Sequence, residues 1–105
     1  MGLYNPAYVV NARKNTIAST VRIFNSTQAD NILLKATNSN RHQVIIFNEG
    51  NEAIYVNLSA TANDLSFTVK VLSNGAYITP ENYTGNISAA TDSAYNIMVT
   101  ELTYS

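Results

Sequence analysis

Gln43-Val44-Ile45-Ile46-Phe47 begins the stretch that gives the clearest indication of the fold. After the segment Asn48-Glu49-Gly50-Asn51, the stretch continues as Glu52-Ala53-Ile54-Tyr55-Val56-Asn57-Leu58. Both runs are rich in β-branched and aromatic residues, and the segment between them contains a glycine. This pattern predicts a β-hairpin. In its second arm Ile54, Val56 and Leu58 should share one face, because successive side chains of a strand point to opposite faces.

The next segment, Leu65-Ser66-Phe67-Thr68-Val69-Lys70-Val71, has the strongest alternation of apolar and polar residues in the chain. It predicts a strand with one face on the core and the other in water. We expect Leu65, Phe67, Val69 and Val71 to face the core.

Shorter runs with strand character occupy most of the remaining chain after residue 15. They are residues 20–24, 31–35, 76–79 (ended by Pro80), 87–90 and 95–102, the last with Tyr95, Ile97 and Val99 on one face. No stretch has the apolar spacing of an amphipathic helix. Six to eight short strands separated by turn residues predict an all-β fold, a single antiparallel β-sandwich of the immunoglobulin-like or jelly-roll-like kind.

Residues 1–15 lack any sustained period and are interrupted by Pro6. We expect them to form an extended N-terminal arm, with the β-sandwich domain spanning residues 16–105. A loosely ordered tail is the ordinary interpretation of such a terminus. The alternative is an arm that docks on a partner through Tyr4, Tyr8, Arg13 and Lys14, and the sequence leaves both interpretations open.

Composition excludes several classes of function. The chain has 105 residues, of which 46% are hydrophobic and only 12% charged, with a net charge of −1. A protein of this charge lacks the basic patch that nucleic-acid binding requires. Cysteine is absent, which excludes disulfides and thiolate chemistry. The longest apolar run is far too short to span a membrane, and no signal peptide is recognisable, so we expect neither membrane association nor secretion.

No arrangement of residues predicts an enzyme, a cofactor or a metal site. The single histidine, His42, begins a strand, and we expect it to be solvated. The seven carboxylates are scattered, mostly in turns, and the four glycines form no phosphate-binding loop. Several of the seven tyrosines fall in turns or terminal segments, where core packing is a weak explanation. Exposed tyrosine suits protein interfaces and sugar stacking. Tyr77 and Tyr83 are the candidates for a surface aromatic platform.

The chain from Arg41 to Leu102 resembles a small β-sandwich domain found in virion proteins of tailed bacteriophages. The matching pieces are Arg41-His42-Gln43-Val44-Ile45-Ile46-Phe47-Asn48-Glu49-Gly50, Glu52-Ala53-Ile54-Tyr55-Val56, Leu72-Ser73-Asn74-Gly75-Ala76-Tyr77, Tyr83-Thr84-Gly85-Asn86-Ile87-Ser88-Ala89 and Ile97-Met98-Val99-Thr100-Glu101-Leu102. The sequence before Arg41 falls outside the match. The loop at residues 57–64 is rich in Ala, Ser and Thr, where the family would lead us to expect more glycine. The resemblance implies a capsid decoration protein, a head fibre or an attachment module of a tail or fibre, none of which has catalytic residues.

Within that set the single domain without fibre repeats favours a non-enzymatic auxiliary capsid (decoration) protein. It would bind the major capsid protein or other virion proteins on the capsid exterior after assembly in the bacterial cytoplasm. The arm would lie on the capsid, and a homo-oligomer is expected, with a trimer as the common arrangement for such proteins. The alternatives are a head-fibre or tail module and, from a different class, a carbohydrate-binding module that uses Tyr77 and Tyr83.

Overall fold

Two four-stranded antiparallel sheets make up the structure, a computed structural model that describes residues 15–105. Sheet A has the strand order β1-β8-β3-β6, and sheet B has the order β2-β7-β4-β5. The strands are β1 (Thr16–Asn25), β2 (Ile32–Lys35), β3 (Arg41–Asn48), β4 (Ile54–Asn57), β5 (Val69–Val71), β6 (Ala76–Ile78), β7 (Ile87–Thr91) and β8 (Tyr95–Tyr104). No helix occurs among these residues, which confirms the predicted all-β sandwich.

Strand β8 lies in the interior of sheet A, between β1 and β3. Its alternation behaves as the sequence predicts, because Ile97 and Val99 are fully buried while Tyr95 is half-buried against the same core. β1 pairs with β8 over its whole length, from Thr16 opposite Tyr104 to Asn25 opposite Tyr95. The longest strand pair among residues 15–105 therefore joins the two ends of that range.

The core lies between the sheets and is built from the inward residues of both. Its fully buried side chains are aliphatic: Leu34, Val44, Ile46, Ile54, Val56, Val71, Ile87, Ala89, Ile97 and Val99. Strand β4 supplies Ile54 and Val56 as predicted, and Leu58 packs against the edge of the same cluster. Since the inward side chains of both sheets are aliphatic, the hydrophobic effect holds the two sheets together.

The predicted hairpin between β3 and β4 is wrong. β3 pairs with β6 and β8 in sheet A, whereas β4 pairs with β5 and β7 in sheet B, so the intervening turn crosses between the sheets. The fully buried side chain of Asn48 fixes this crossing. Its amide donates to the carbonyls of Glu52 (2.8 Å) and Val71 (3.0 Å), and its Oδ1 accepts from the Gly50 N–H (2.9 Å). A polar side chain thus links the end of one sheet to the other.

The prediction for residues 65–71 is only partly right. Val69 and Val71 form β5 and pack on the core, but Leu65 is 91% exposed and Phe67 is also exposed. Residues 58–68 instead pass over the outer face of sheet B. Hydrogen bonds hold them there. The Ser88 hydroxyl donates to the Ser59 carbonyl (2.8 Å), and the Ala62 N–H donates to Asn31 Oδ1 (2.9 Å).

Candidate functional site

The outer face of sheet A carries large apolar side chains from four paired strands. Paired residues of an antiparallel sheet share a face, so the side chains that alternate with the buried ones of β3 and β8 point away from the core. They lie in cross-strand rows: Ala76-Phe47-Met98-Arg22, Ile78-Ile45-Thr100-Thr20, Gln43-Leu102-Ala18 and Asn96-Phe24. We call this surface the sheet A outer face.

Two large apolar side chains on this face are strongly exposed, Phe24 at 68% and Ile78 at 55%, and they lie on opposite edge strands. Between them, Ile45, Phe47 and Met98 are half-buried by their cross-strand neighbours. The polar residues on the face are mostly neutral, and Thr20 and Thr100 hydrogen-bond to each other at 2.8 Å. Because each hydroxyl already has the other as a hydrogen-bond partner, the two need fewer hydrogen bonds from water.

Arg22 carries the single charge in these rows and is already engaged. Its Nη1 contacts Glu49 Oε1 in an ion pair and donates to Asn96 Oδ1 at 2.8 Å. Charged residues are depleted in the buried centre of protein interfaces, and aromatic residues, Met and Arg are enriched there. The sheet A outer face therefore carries residue types that are enriched at protein interfaces. No sequence argument identified it, since its rows combine residues from four separated strands.

The two tyrosines that the sequence singles out are both half-buried and pack against the core. Tyr77 lies in β6 opposite Ile46, and burial raises the pKa of its phenol above the ordinary value. The Tyr83 hydroxyl donates to the Asn86 carbonyl at 2.8 Å, and a Cβ added at Gly85 would lie only 2.6 Å from that hydroxyl. Neither ring stacks with another among the described residues. The aromatic platform stays a prediction.

The proposed arm contacts, Tyr4, Tyr8, Arg13 and Lys14, lie outside the described residues.

A buried charge cluster at the start of β3 escaped the sequence analysis. The Arg41 side chain is fully buried, and its Nε donates to Glu101 Oε2 at 2.9 Å. Its Nη1 donates to the Gly85 carbonyl (2.7 Å), and its Nη2 donates to the Ala36 carbonyl. Lys35 Nζ lies 4.0 Å from the other Glu101 oxygen. This cluster ties two loops to β3 and β8, and because Arg41 and Glu101 are 60 residues apart, no local pattern indicates it.

His42 is not the solvated residue that its position at the start of a strand suggested, because it is half-buried beside the C-terminal strand. Its Nδ1 lies 2.8 Å from the Tyr104 hydroxyl, which in turn donates to Asn82 Oδ1 at 2.6 Å. Its Nε2 is 3.7 Å from Glu81 Oε2. These contacts do not form a catalytic nucleophile–base pair. They connect β8 to the turn at residues 80–83.

An open depression of about 420 Å³ lies where the β3–β4 crossing meets the turn before β8. Its lining includes the carboxylates of Glu49 and Glu52, together with Asn51, Tyr95 and Asn96. Glu49 is already paired with Arg22. Among residues 15–105 no group of three or more His, Cys, Asp or Glu side chains is placed to hold a metal ion. In the same range no helix is long and apolar enough to cross a membrane.

Tyr55 lies on the outer face of sheet B and has a titrating hydroxyl that is bound to a carboxylate. Its hydroxyl donates to Asp92 Oδ2 at 2.8 Å, and this hydrogen bond to a carboxylate raises the pKa of the phenol above its ordinary value. Its ring contacts Phe67, with 5.0 Å between the centroids, and Lys70 Nζ lies 5.8 Å from its centre. Tyr55 thus holds the loop at residues 58–68 and the turn before β8 against sheet B.

Comparisons with known proteins give distant similarities only. No protein-family model matches the chain, and no curated protein sequence matches it. A Neisseria meningitidis protein, NMB1881, superposes with a TM-score of 0.47 at 9% identity, covering 87% of this chain and 77% of the other. A subunit from the structure described as "Bacillus endospore appendages form a novel family of disulfide-linked pili" superposes with a TM-score of 0.46 at 15% identity over 100% of both chains. The cupin domain of Schizosaccharomyces pombe Cnp3 gives 0.47 at 22% identity, and the match covers 85% of this chain but 56% of the cupin chain. At these TM-scores the similarities support no conclusion about function.

Proposed function

We propose that this chain is a non-enzymatic structural protein that acts by binding other proteins, and specifically an auxiliary capsid protein that decorates the exterior of a bacteriophage capsid. The observation that supports the proposal is the sheet A outer face, whose large apolar side chains are exposed in a chain with 12% charged residues. The virion assignment itself comes from the resemblance of residues 41–102 to phage virion domains.

The sheet A outer face is a rigid surface and is therefore suited to binding a partner protein. Its side chains project from four hydrogen-bonded strands, so little conformational entropy is lost when they dock. The face offers apolar area at both margins, through Phe24 and Ile78, with neutral hydroxyls between them. Docking of this face to a capsid lattice would stabilise the assembled shell, because the contact is lost when the lattice opens.

The first test is the copy number of the protein in virions. Particles purified from the bacterial strain that carries the coding sequence are analysed by quantitative mass spectrometry against the major capsid protein. Hundreds of copies per particle are expected for a lattice decoration protein. A dozen or fewer would move the protein to a vertex fibre, neck or tail, and none would overturn the virion assignment.

The second test asks whether the sheet A outer face makes the contact. Purified protein is cosedimented with capsids that lack it, and Ile78→Glu is compared with Leu65→Glu. Both residues are strongly exposed, at 55% and 91%, but Leu65 lies on the loop over the opposite sheet. Ile78→Glu should weaken capsid binding at least tenfold, whereas Leu65→Glu should leave it unchanged. Equal effects of the two variants would show that this face is not the contact.

A further inference from the structure

Within residues 15–105, strand β1 has none of the features that protect an edge strand from pairing with another chain. It is ten residues long and forms one margin of sheet A in the described structure. Its register with β8 is regular throughout, without a bulge, and its sequence contains no proline. Its only charge, Arg22, is paired with Glu49. Monomeric proteins usually shorten, bend or charge such an edge, because its free N–H and C=O groups are a template for further pairing.

The inward side of β1 is also incompletely covered. Val21 is opposite Val99 and shares its face, yet Val21 is 43% exposed while Val99 is fully buried. Ile17, on the same face, is 56% exposed. Sheet B therefore does not extend over the full length of β1, and this margin of the sandwich presents apolar side chains beside a strand edge that no other described strand pairs with.

We propose that two copies of this chain associate by antiparallel pairing of their β1 strands. The length of the strand selects the partner, because the other edge strands in residues 15–105 (β2, β5 and β6) have only four, three and three residues. Among the described edges of this chain, only that of a second β1 matches it in length. Pairing over ten residues would form about ten interchain hydrogen bonds, and the apolar residues at the two open margins would cover one another.

The geometry of this pairing fixes the shape of the dimer. Two identical strands that pair antiparallel are related by a twofold axis perpendicular to the sheet, so the contact closes at two copies. The two copies of sheet A become one eight-stranded sheet, with both outer faces on the same side. The association differs from the trimer expected by analogy with phage surface proteins, and it does not depend on the capsid assignment.

The mass of the full chain in solution is the first test. Sedimentation velocity should give a species of twice 11.5 kDa that dissociates on dilution. Val21→Lys places a charge at the open margin, where the exposed side chain can reach water without unfolding the sheet, and it should raise the dimer dissociation constant at least tenfold. Leu33→Lys, a matched change at a 52% exposed position in β2, should leave it unchanged. A monomer at all concentrations, a ladder of larger oligomers or equal effects of the two variants would overturn the proposal.

Cross-linking gives a second, independent test, since the natural chain contains no cysteine. Single cysteines are placed in turn at Ala18, Ser19, Thr20, Val21 and Ile23. In a twofold antiparallel pair only a position near the axis lies opposite its own copy, within the Cα separation of about 4.4–6.8 Å that a disulfide requires. One position should therefore give most of the disulfide-linked dimer. Absence of any cross-link would overturn the proposal and would be the result expected if residues 1–14 of the same chain cover this edge.

Discussion

Replacement of Arg41 by methionine should destabilise the protein more than any other single substitution of a charged residue among those described. The Arg41 side chain has no exposed surface, and Glu101 is only 13% exposed. Methionine keeps much of the volume but removes the Nε bond to Glu101 at 2.9 Å and the donors to the carbonyls of Gly85 and Ala36. Breaking a buried ion pair by removing one partner costs about 3–5 kcal/mol, because the other charge stays buried without compensation.

That cost is a large share of the total. A domain of this size has a free energy of unfolding of about 5–15 kcal/mol, and each kcal/mol shifts the midpoint by roughly 4–8 °C. We therefore expect Arg41→Met to lower the melting temperature by at least about 12 °C. The measurement is urea and thermal unfolding at pH 7, followed by circular dichroism because the chain has no tryptophan.

Arg22→Met is the matched control. Its ion pair with Glu49 is exposed, with side-chain exposures of 43% and 34%, so its loss should cost no more than about 1 kcal/mol. The double variant Arg41→Met with Glu101→Leu should recover part of the lost stability, since it removes both buried charges. If Arg41→Met cost less than about 1 kcal/mol, or if the two arginine variants behaved alike, the assignment of Arg41 as a buried structural charge would be refuted.

Three further outcomes follow from the contacts described. Asn48→Ala should cost about 2–4 kcal/mol in urea unfolding, because it leaves the buried Val71 carbonyl, the part-buried Glu52 carbonyl and the Gly50 N–H without the asparagine that satisfies them; a loss below about 1 kcal/mol would contradict its role at the sheet crossing. Leu65→Ala should stay within about 0.5 kcal/mol of the natural protein, whereas Ile54→Ala should cost about 2–5 kcal/mol; similar losses would return residue 65 to the core. The pKa values of Tyr55 and Tyr77 are raised in the folded state from 10.0, so the stability that this linkage contributes is complete below pH 10 and is lost as the pH rises through the folded-state values. Melting temperatures between pH 9 and 12 should show this loss, and Tyr55→Phe should reduce the slope; an unchanged slope would contradict the Tyr55–Asp92 bond.

The sequence predicts the strands far better than their partners. Alternation correctly places Ile97 and Val99 in β8, and Ile54 and Val56 in β4, because the period of two is a local property of the chain. The choice of partner is not local. The run at residues 43–58 has every feature of a hairpin, yet β3 already has β6 and β8 on its two sides, so β4 pairs in the other sheet.

Residues 65–68 show a second limit of periodicity. Leu65 and Phe67 continue the alternation of Val69 and Val71, but only Val69 and Val71 pair with β4 and pack on the core. The sheet A outer face could not be predicted either, because periodicity does not give the register between strands. Phe24, Phe47 and Ile78 come from three separated strands, and only the register of sheet A places them on one face.

The position of β8 between β1 and β3 also determines the order in which the protein can fold. Thr20 and Thr100 face each other across 80 residues of sequence. During synthesis β1 leaves the ribosome long before its neighbour exists, and no other strand in the described chain pairs with it. Sheet A is therefore completed only after β8 has been made, whereas β2, β4, β5 and β7 have by then all been synthesised and can assemble sheet B first. Folding dominated by such distant pairings takes milliseconds to seconds, and until β8 is in place β1 has no strand partner among the described residues.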